Sequence, residues 1–225
     1  MKGIMGGLYG VSEWISRFAV VNLLWLLLNL PLVLIVVNIM WGKQEGAAFL
    51  MVPLISLMPL LFFPATSAMF ASARDWVLSK DSSSITKAYF RYYKENYKKS
   101  LLGGMLLTGL WLIWGIDYYY FKDESVLFMF SFLMMGVVLF VYTINFFSII
   151  VHYELKLRSM LKKSLIITIG SPILFLTVAI ASGVILYVSV NGPLFLIPFF
   201  TGSLISFVSF SAFYRLYIKL TTVHD

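Results

Sequence analysis

The sequence contains no cysteine among its 225 residues, so disulfide frameworks, thiolate nucleophiles and Cys-based zinc or iron–sulfur sites are excluded. Charged residues are also scarce, at 12% of the chain against roughly 25% in a typical soluble domain. The two histidines, His152 and His224, lack clustered carboxylates, which argues against a histidine metal site. No phosphate-binding loop, nucleophile elbow, zinc-protease or dinucleotide-binding motif occurs. We therefore predict no enzyme activity, no catalytic residue, no metal and no cofactor.

Apolar residues are what the sequence has in excess, at 60% of the chain with a mean hydropathy of +0.91. They form six long runs, each at least the ~20 residues that one helix needs to cross a bilayer. Inside the bilayer each run must be helical, because only a helix satisfies its own backbone there. We predict an all-α polytopic membrane protein with a single membrane domain. Its six spans lie at about 18–40, 47–73, 100–121, 125–151, 164–190 and 194–218.

The basic residues are distributed unevenly between the two sides that these spans define. Fifteen of the 17 Lys and Arg fall on the side of the N-terminus, and only Lys43 and Lys122 fall on the other. By the positive-inside rule this predicts that both termini are cytoplasmic, in a bacterial cytoplasmic membrane. The formal net charge of +7 then indicates topology and contact with anionic membrane lipid rather than nucleic-acid binding. The outer loops are too short to form an extracellular ligand-binding domain.

The second run is unusual because it carries three of the seven prolines, at positions 53, 59 and 64. Prolines remove backbone donors and kink helices. The run is therefore either a broken helix that lines a binding site or a tilted, kinked helix packed on its neighbours. Behind Pro64, the small residues Ala65, Ala68 and Ser72 share one helical face. They predict a tight helix contact within the chain or, as the alternative, with a partner chain.

The loop between the second and third spans has a helical pattern over about 82–99, with Asp81 or a nearby Ser as its cap. Aromatic residues alternate there with basic residues at helical spacing. Such an amphipathic helix either lies in the headgroup region or docks a cytoplasmic partner. The basic residues of this face are Lys87, Arg91, Lys94 and Lys98.

Polar residues inside the spans are the remaining candidates for chemistry, since they are costly in lipid. Asp117 is the only acidic residue in a predicted span. It either binds a proton, a cation or a substrate hydroxyl, or pairs with a tyrosine hydroxyl or a lysine at interface depth. Asn22 and Asn29 are seven residues apart and face one side of the first helix, where hydrogen bonding between helices is the expected role.

Several segments resemble the YesL-like family of bacterial integral membrane proteins, most clearly over residues 8–120. The similarity rests on four motifs. They are Ser12-Glu13-Trp14-Ile15 with Arg17 and Asn22-Leu-Leu-Trp25, then Phe63-Pro64-Ala65-Thr66-Ser67-Ala68-Met69-Phe70-Ala71 with Arg74 and Trp76, then Phe90-Arg91-Tyr92-Tyr93-Lys94-Glu95-Asn96-Tyr97-Lys98-Lys99, and Asp117 near the end of the third span. The second half of the chain agrees mainly in hydropathy.

The resemblance implies a functional context rather than a catalytic residue. Genes of this family are typically found in Gram-positive bacteria, often beside carbohydrate ABC importers. It therefore implies an accessory or regulatory subunit in carbohydrate transport, with permease subunits and possibly the ATPase as partners. The E-A-A…G loop by which a core permease grips its ATPase does not occur here. The partner-binding residues that we predict are Pro64, Arg74, Trp76, Arg91, Tyr93 and Lys94.

Two other hypotheses stay open at this point. Six spans suffice for a stand-alone small-molecule transporter or channel, with the proline-rich second helix and Asp117 as a minimal candidate site. A membrane scaffold or assembly factor outside sugar transport would also fit the sequence.

Overall fold

The computed structural model describes residues 4–42, 47–80 and 84–222, and these ranges contain helices and short connections but no strand. Lys43, Asp81 and His224 lie outside the described residues. The helices are α1 (Ile4–Leu28), α2 (Leu30–Trp41), α3 (Ala47–Leu57), α4 (Phe63–Val77), α5 (Ile85–Phe121), α6 (Val126–His152), α7 (Leu157–Gly170), α8 (Pro172–Asn191) and α9 (Gly202–Thr222), with π-helical turns at Met58–Phe62 and Ile197–Thr201.

Within the described ranges, six helical segments are long and apolar enough to cross a membrane. This confirms the predicted all-α fold with six spanning helices. The segments are Tyr9–Leu28, Phe49–Val77, Ile85–Phe121, Val126–His152, Pro172–Asn191 and Ile197–Thr222. The cytoplasmic orientation of the termini stays a prediction.

Two of the predicted spans are interrupted in the structure, and a proline explains each interruption. The first apolar run breaks at Asn29, so that the short helix α2 follows α1 with Pro31 in its first turn. The fifth run breaks at Ser171, and the spanning helix α8 begins only at Pro172. A proline has no backbone donor and clashes with the preceding turn, but it fits the first turn of a new helix.

The proline-rich second run stays helical from Ala47 to Val77 and does not unwind. Pro53 lies inside α3, while Pro59 lies in the π-helical turn that joins α3 to α4. A π-helical turn holds one extra residue, and it occurs where the regular hydrogen-bond ladder is interrupted. This run is therefore one continuous helix with a π-helical turn and not a broken helix, while its predicted tilt and kink stay predictions.

Helix α4 occupies the centre of the bundle, and every residue from Phe63 to Ala73 is buried. It packs against α5, α6 and α9. The predicted small-residue face, with Ala65, Ala68 and Ser72, is buried within the chain, which confirms the intrachain contact. Lipid is as apolar as these side chains, so close packing and hydrogen bonds rather than water exclusion hold such helices together.

Helix α5 joins the predicted amphipathic helix and the third span into one element of 37 residues. At 1.5 Å per residue it is about 55 Å long, well beyond a hydrocarbon core of about 30 Å. The side chain of Ser84 caps its start by accepting a hydrogen bond from the Lys87 backbone N–H. The amphipathic N-terminal part is thus a rigid extension of a spanning helix.

Candidate functional site

The candidate site lies where α4 ends and α5 begins, at the end of the bundle that carries most of the basic residues. The last turn of α4 closes with two backbone hydrogen bonds, from Lys80 N to Asp75 O at 2.8 Å and from Ser79 N to Trp76 O at 3.2 Å. Ser79 adopts a positive φ of 54°, the left-handed conformation that this type of helix ending requires. The turn fixes where the side chains of Arg74, Asp75 and Trp76 point.

Asp75 is the centre of a buried polar network at this turn. Arg74 donates two hydrogen bonds to Asp75 Oδ1, from Nε at 3.0 Å and from Nη2 at 2.9 Å. The Tyr92 hydroxyl donates to Asp75 Oδ2, and Arg91 Nη2 donates to the Tyr92 oxygen at 2.9 Å. A third nitrogen of Arg74 donates to the carbonyl of Val151 at the end of α6. The network therefore ties α4, α5 and α6 together with both carboxylate oxygens occupied.

A second tyrosine anchors α5 one turn closer to its start. Tyr89 is fully buried, and its hydroxyl donates to the Ala65 carbonyl at 2.9 Å. Tyr89 and Tyr92 are three residues apart and so point to the same side of α5, towards α4. This leaves the basic face of α5 (Lys87, Arg91, Lys94 and Lys98) on the outside, where all four residues are exposed.

Aromatic side chains fill the space between α1, α4 and α9 at the same end. Trp76 meets the ring of Phe18 edge-on at a centroid distance of 5.3 Å and that of Trp14 at 6.1 Å. Beside them, a polar groove of about 500 Å³ runs between α1 and the α4–α5 connection. Its lining includes the ion pair of Arg17 and Glu13, whose atoms Nη2 and Oε1 are 2.5 Å apart.

The predicted partner-binding residues divide into two groups in the structure. Pro64 is buried, Trp76 is half-buried in the aromatic cluster, and Arg74 is directed to Asp75. Arg91 and Lys94 are exposed, and Tyr93 is half-buried beside Tyr97 at a centroid distance of 5.6 Å. The first group is held by contacts inside the bundle, although Trp76 also lines the polar groove, and the second group is the more exposed one.

Asn22 makes the hydrogen bonds between helices that the sequence predicts. Its Nδ2 donates to the carbonyls of Ile197 at 3.0 Å and Pro198 at 2.7 Å, while its Oδ1 accepts from the backbone N–H of Ser203 at 3.0 Å. These backbone groups belong to or follow the second π-helical turn. Asn22 therefore satisfies polar groups at an irregularity in the hydrogen-bond ladder of the last spanning segment.

Replacing Asn22 with alanine is expected to lower the free energy of unfolding by about 2 kcal/mol. Each hydrogen bond between membrane helices contributes ~0.6–1.7 kcal/mol, and three are lost at once. Asn191→Ala is the control, because Asn191 is exposed and, within the described ranges, its side chain bonds only to its own helix, at Tyr187 O and 3.0 Å. Thermal unfolding in detergent measures both variants, and equal melting temperatures would contradict this role of Asn22.

Asn29 differs from its prediction, and for Asp117 one of the two predicted roles is not found while the other stays a prediction. Asn29 is buried at the break between α1 and α2, but its Nδ2 donates to Trp25 O at 2.8 Å within the same helix. Its Oδ1 is buried and has no hydrogen-bond partner among the described residues. Asp117 is half-buried near the end of α5, and no pairing with a tyrosine or lysine is found in the described parts of the chain. The nearby Lys122 pairs with Asp123, with its Nζ 3.9 Å from Asp123 Oδ2.

Asp75 and Tyr92 are the central residues that sequence reasoning missed. The sequence analysis singled out Arg74 as a partner-binding residue but not its neighbour Asp75. The available signal was the three-residue spacing of Tyr89 and Tyr92, which places both side chains on the face of α5 that meets α4.

The sequence is similar to one protein family and to several proteins of known sequence. Residues 18–118 match DUF624, a family of proteins of unknown function. The chain is 29% identical to the uncharacterized protein YteU of Bacillus subtilis (strain 168), over 97% of this chain and 88% of YteU. From the same organism, the uncharacterized protein YesL is 26% identical, over 95% of this chain and 92% of YesL. The uncharacterized protein YesV is 26% identical as well, over 88% of this chain and 85% of YesV. No solved structure matches the chain. The DUF624 match includes Asn22, the whole of α4 and the side chains of the network around Asp75, but not Val151.

Proposed function

We propose, from the premise that this chain is a YesL-like membrane protein, that it is an accessory or regulatory subunit of a carbohydrate ABC importer. In this proposal it resides in the cytoplasmic membrane of a Gram-positive bacterium. The choice of a sugar importer as the partner rests on the family resemblance, because genes of this family often lie beside importers of this class. The chain would be an additional subunit beside the core permeases, because its sequence lacks the E-A-A…G loop by which a core permease binds its ATPase.

The observation that carries the proposal is the basic face of α5, presented on a rigid support. Arg91 and Lys94 are exposed, while Tyr89 and Tyr92 on the opposite side of the helix are bonded into the bundle. A surface that is held rigidly loses little conformational entropy on binding. Its four cations suit an acidic surface on a partner protein, since complementary charge speeds and orients association.

The interior gives less support to transport through this chain alone. Large side chains fill the centre of the bundle, including the fully buried Phe70, Phe146, Phe147, Phe210 and Phe213. One observation nevertheless favours a stand-alone transporter as the second candidate, namely the Oδ1 of Asn29, which has no hydrogen-bond partner in the described part of the chain and lies at the helix break between α1 and α2. Polar groups at broken membrane helices often contact a substrate or ion. Liposomes that contain only this protein test this candidate, which requires flux above empty liposomes and loss of that flux in Asn29→Leu.

A charge-reversed variant separates the two candidates in the native host. We expect tagged wild-type protein, purified in mild detergent, to carry permease subunits or their ATPase in near-equal amounts. Arg91→Glu/Lys94→Glu should reduce that recovery at least tenfold, because each reversed charge turns attraction into repulsion.

Arg158→Glu/Lys162→Glu is the matched control, because both residues are exposed and lie outside the basic face of α5. It carries the same change in net charge and should recover partners as the wild type does. Purification of the wild-type protein alone, from cells that express the importer, would overturn the proposal. Equal losses in both double variants would show that net charge, rather than this surface, is responsible.

A further inference from the structure

A second groove opens at the basic end of the bundle, between the α7–α8 corner and the end of α9. It has a volume of about 420 Å³. Its lining residues come from the second half of the chain, whereas the basic face of α5 comes from the first half. Arg215 and Lys219 line it, together with apolar residues that include Ile173, Leu216 and Leu220. No acidic side chain lines it among the described residues.

The two cations share a face of α9 because they are four residues apart. Both are exposed, and neither has an ion-pair partner among the described residues. The first turn of α8 begins in the same groove, and its N-cap residue Ser171 makes no capping hydrogen bond with its side chain. The opening backbone N–H groups of a helix lack partners in their own helix and carry partial positive charge. The polar part of the groove is therefore complementary to an anion.

The apolar part indicates what kind of anion fits. Ile173 is 76% exposed and Leu220 is 54% exposed, and both belong to segments that can span a membrane. A free phosphate would use the cations but leave this apolar surface uncovered. An amphiphile with an anionic head and hydrocarbon tails would cover both parts. The groove also lies where spanning helices begin and end, which is the depth of the lipid headgroups.

We propose that this groove binds one anionic phospholipid, with its phosphate at Arg215 and Lys219 and its acyl chains along the apolar residues. A basic pocket between membrane helices is the recognised form of such sites. A lipid can occupy this groove whether or not the basic face of α5 binds a protein. Failure of the importer proposal would therefore leave this site intact, and the reverse also holds.

Native mass spectrometry of the purified full-length chain tests the site, with dioleoyl-phosphatidylglycerol as the probe and dioleoyl-phosphatidylcholine as the neutral comparison. We expect one phosphatidylglycerol to bind at least tenfold more tightly than phosphatidylcholine. Arg215→Gln/Lys219→Gln should weaken phosphatidylglycerol binding by about 30-fold, or about 2 kcal/mol at ~1 kcal/mol for each cation. The exchange Arg215→Lys/Lys219→Arg keeps both charges and should keep the binding.

Arg158→Gln/Lys162→Gln is the matched control, since it removes one exposed Arg and one exposed Lys on α7, outside both this groove and the basic face of α5. It should bind phosphatidylglycerol as the wild type does. Equal binding of the two lipids, or equal losses in the two Gln variants, would overturn the proposal. Competition by glycerol phosphate at the same concentration as the lipid would also overturn it, because the ligand would then be a soluble phosphate. Unchanged melting temperatures without lipid would show that the variants are folded.

Discussion

Asp75→Ala is expected to lower the free energy of unfolding by about 3 kcal/mol. The substitution removes the acceptor of two hydrogen bonds from Arg74 and one from Tyr92, and it leaves the Arg74 guanidinium partly buried beside an uncharged site. Breaking a buried ion pair by removing one partner costs about 3–5 kcal/mol. The low end applies here, because the Arg74 side chain keeps 23% of its exposure. A destabilisation of this size lowers the melting temperature by about 6–12 °C in a chain of this length.

Asp123→Ala is the control for that experiment. Asp123 also lies near a cation, with its Oδ2 3.9 Å from Lys122 Nζ, but its side chain is 86% exposed. Exposed ion pairs contribute about 0–1 kcal/mol, so this variant should melt close to the wild type. If Asp75→Ala also melted within 1 °C of the wild type, the network would not hold the ends of α4, α5 and α6 together. The network around Asp75 would then also not support the basic face of α5.

Gly103→Ala is expected to destabilise the spanning part of α5 strongly. A Cβ at Gly103 would stand 2.2 Å from Cζ of Phe146, a fully buried ring on α6. Phe146 itself packs against Phe147 at a centroid distance of 5.9 Å, so the ring has little room to retreat. Overpacking of a tight core costs about 1–3 kcal/mol, and this contact predicts the upper end.

Gly109 on the same helix provides a matched control, because a Cβ there meets nothing within 4 Å. Gly109→Ala should be neutral or stabilise the helix by up to about 1 kcal/mol, since alanine is the better helix former. Thermal unfolding of both variants in one detergent measures the difference. Similar melting temperatures for the two variants would contradict the close approach of α5 and α6 described here.

The parts of the fold that could be predicted are those set by hydropathy and residue size. Runs of apolar residues predicted six spanning helices, and the spacing of Ala65, Ala68 and Ser72 predicted the buried face of α4. The breaks were harder, because Pro31 and Pro172 each fit either a kink or the first turn of a new helix. Only the packing of neighbouring helices decides between those outcomes.

Of the candidate site, the sequence predicted the exposed basic face of α5 but not the buried network around Asp75. Exposed cations at helical spacing indicated the basic face of α5, since a pattern on one helix needs no knowledge of its neighbours. The pairing of Asp75 with Tyr92 joins residues 17 positions apart across a connection that the sequence did not define. Asn22 illustrates the same limit at greater range, because its partners lie 175 or more positions away.

We propose that the basic face of α5 contacts a subunit of a carbohydrate ABC importer, and photo-cross-linking in the native host tests this contact most directly. A photoreactive amino acid at Lys94 samples this face, and one at Tyr120, 70% exposed at the far end of α5, is the control. We predict a cross-link from position 94 to a permease or ATPase subunit and none from position 120. Cross-links of equal yield from both positions, or none to any importer subunit from position 94, would contradict the account.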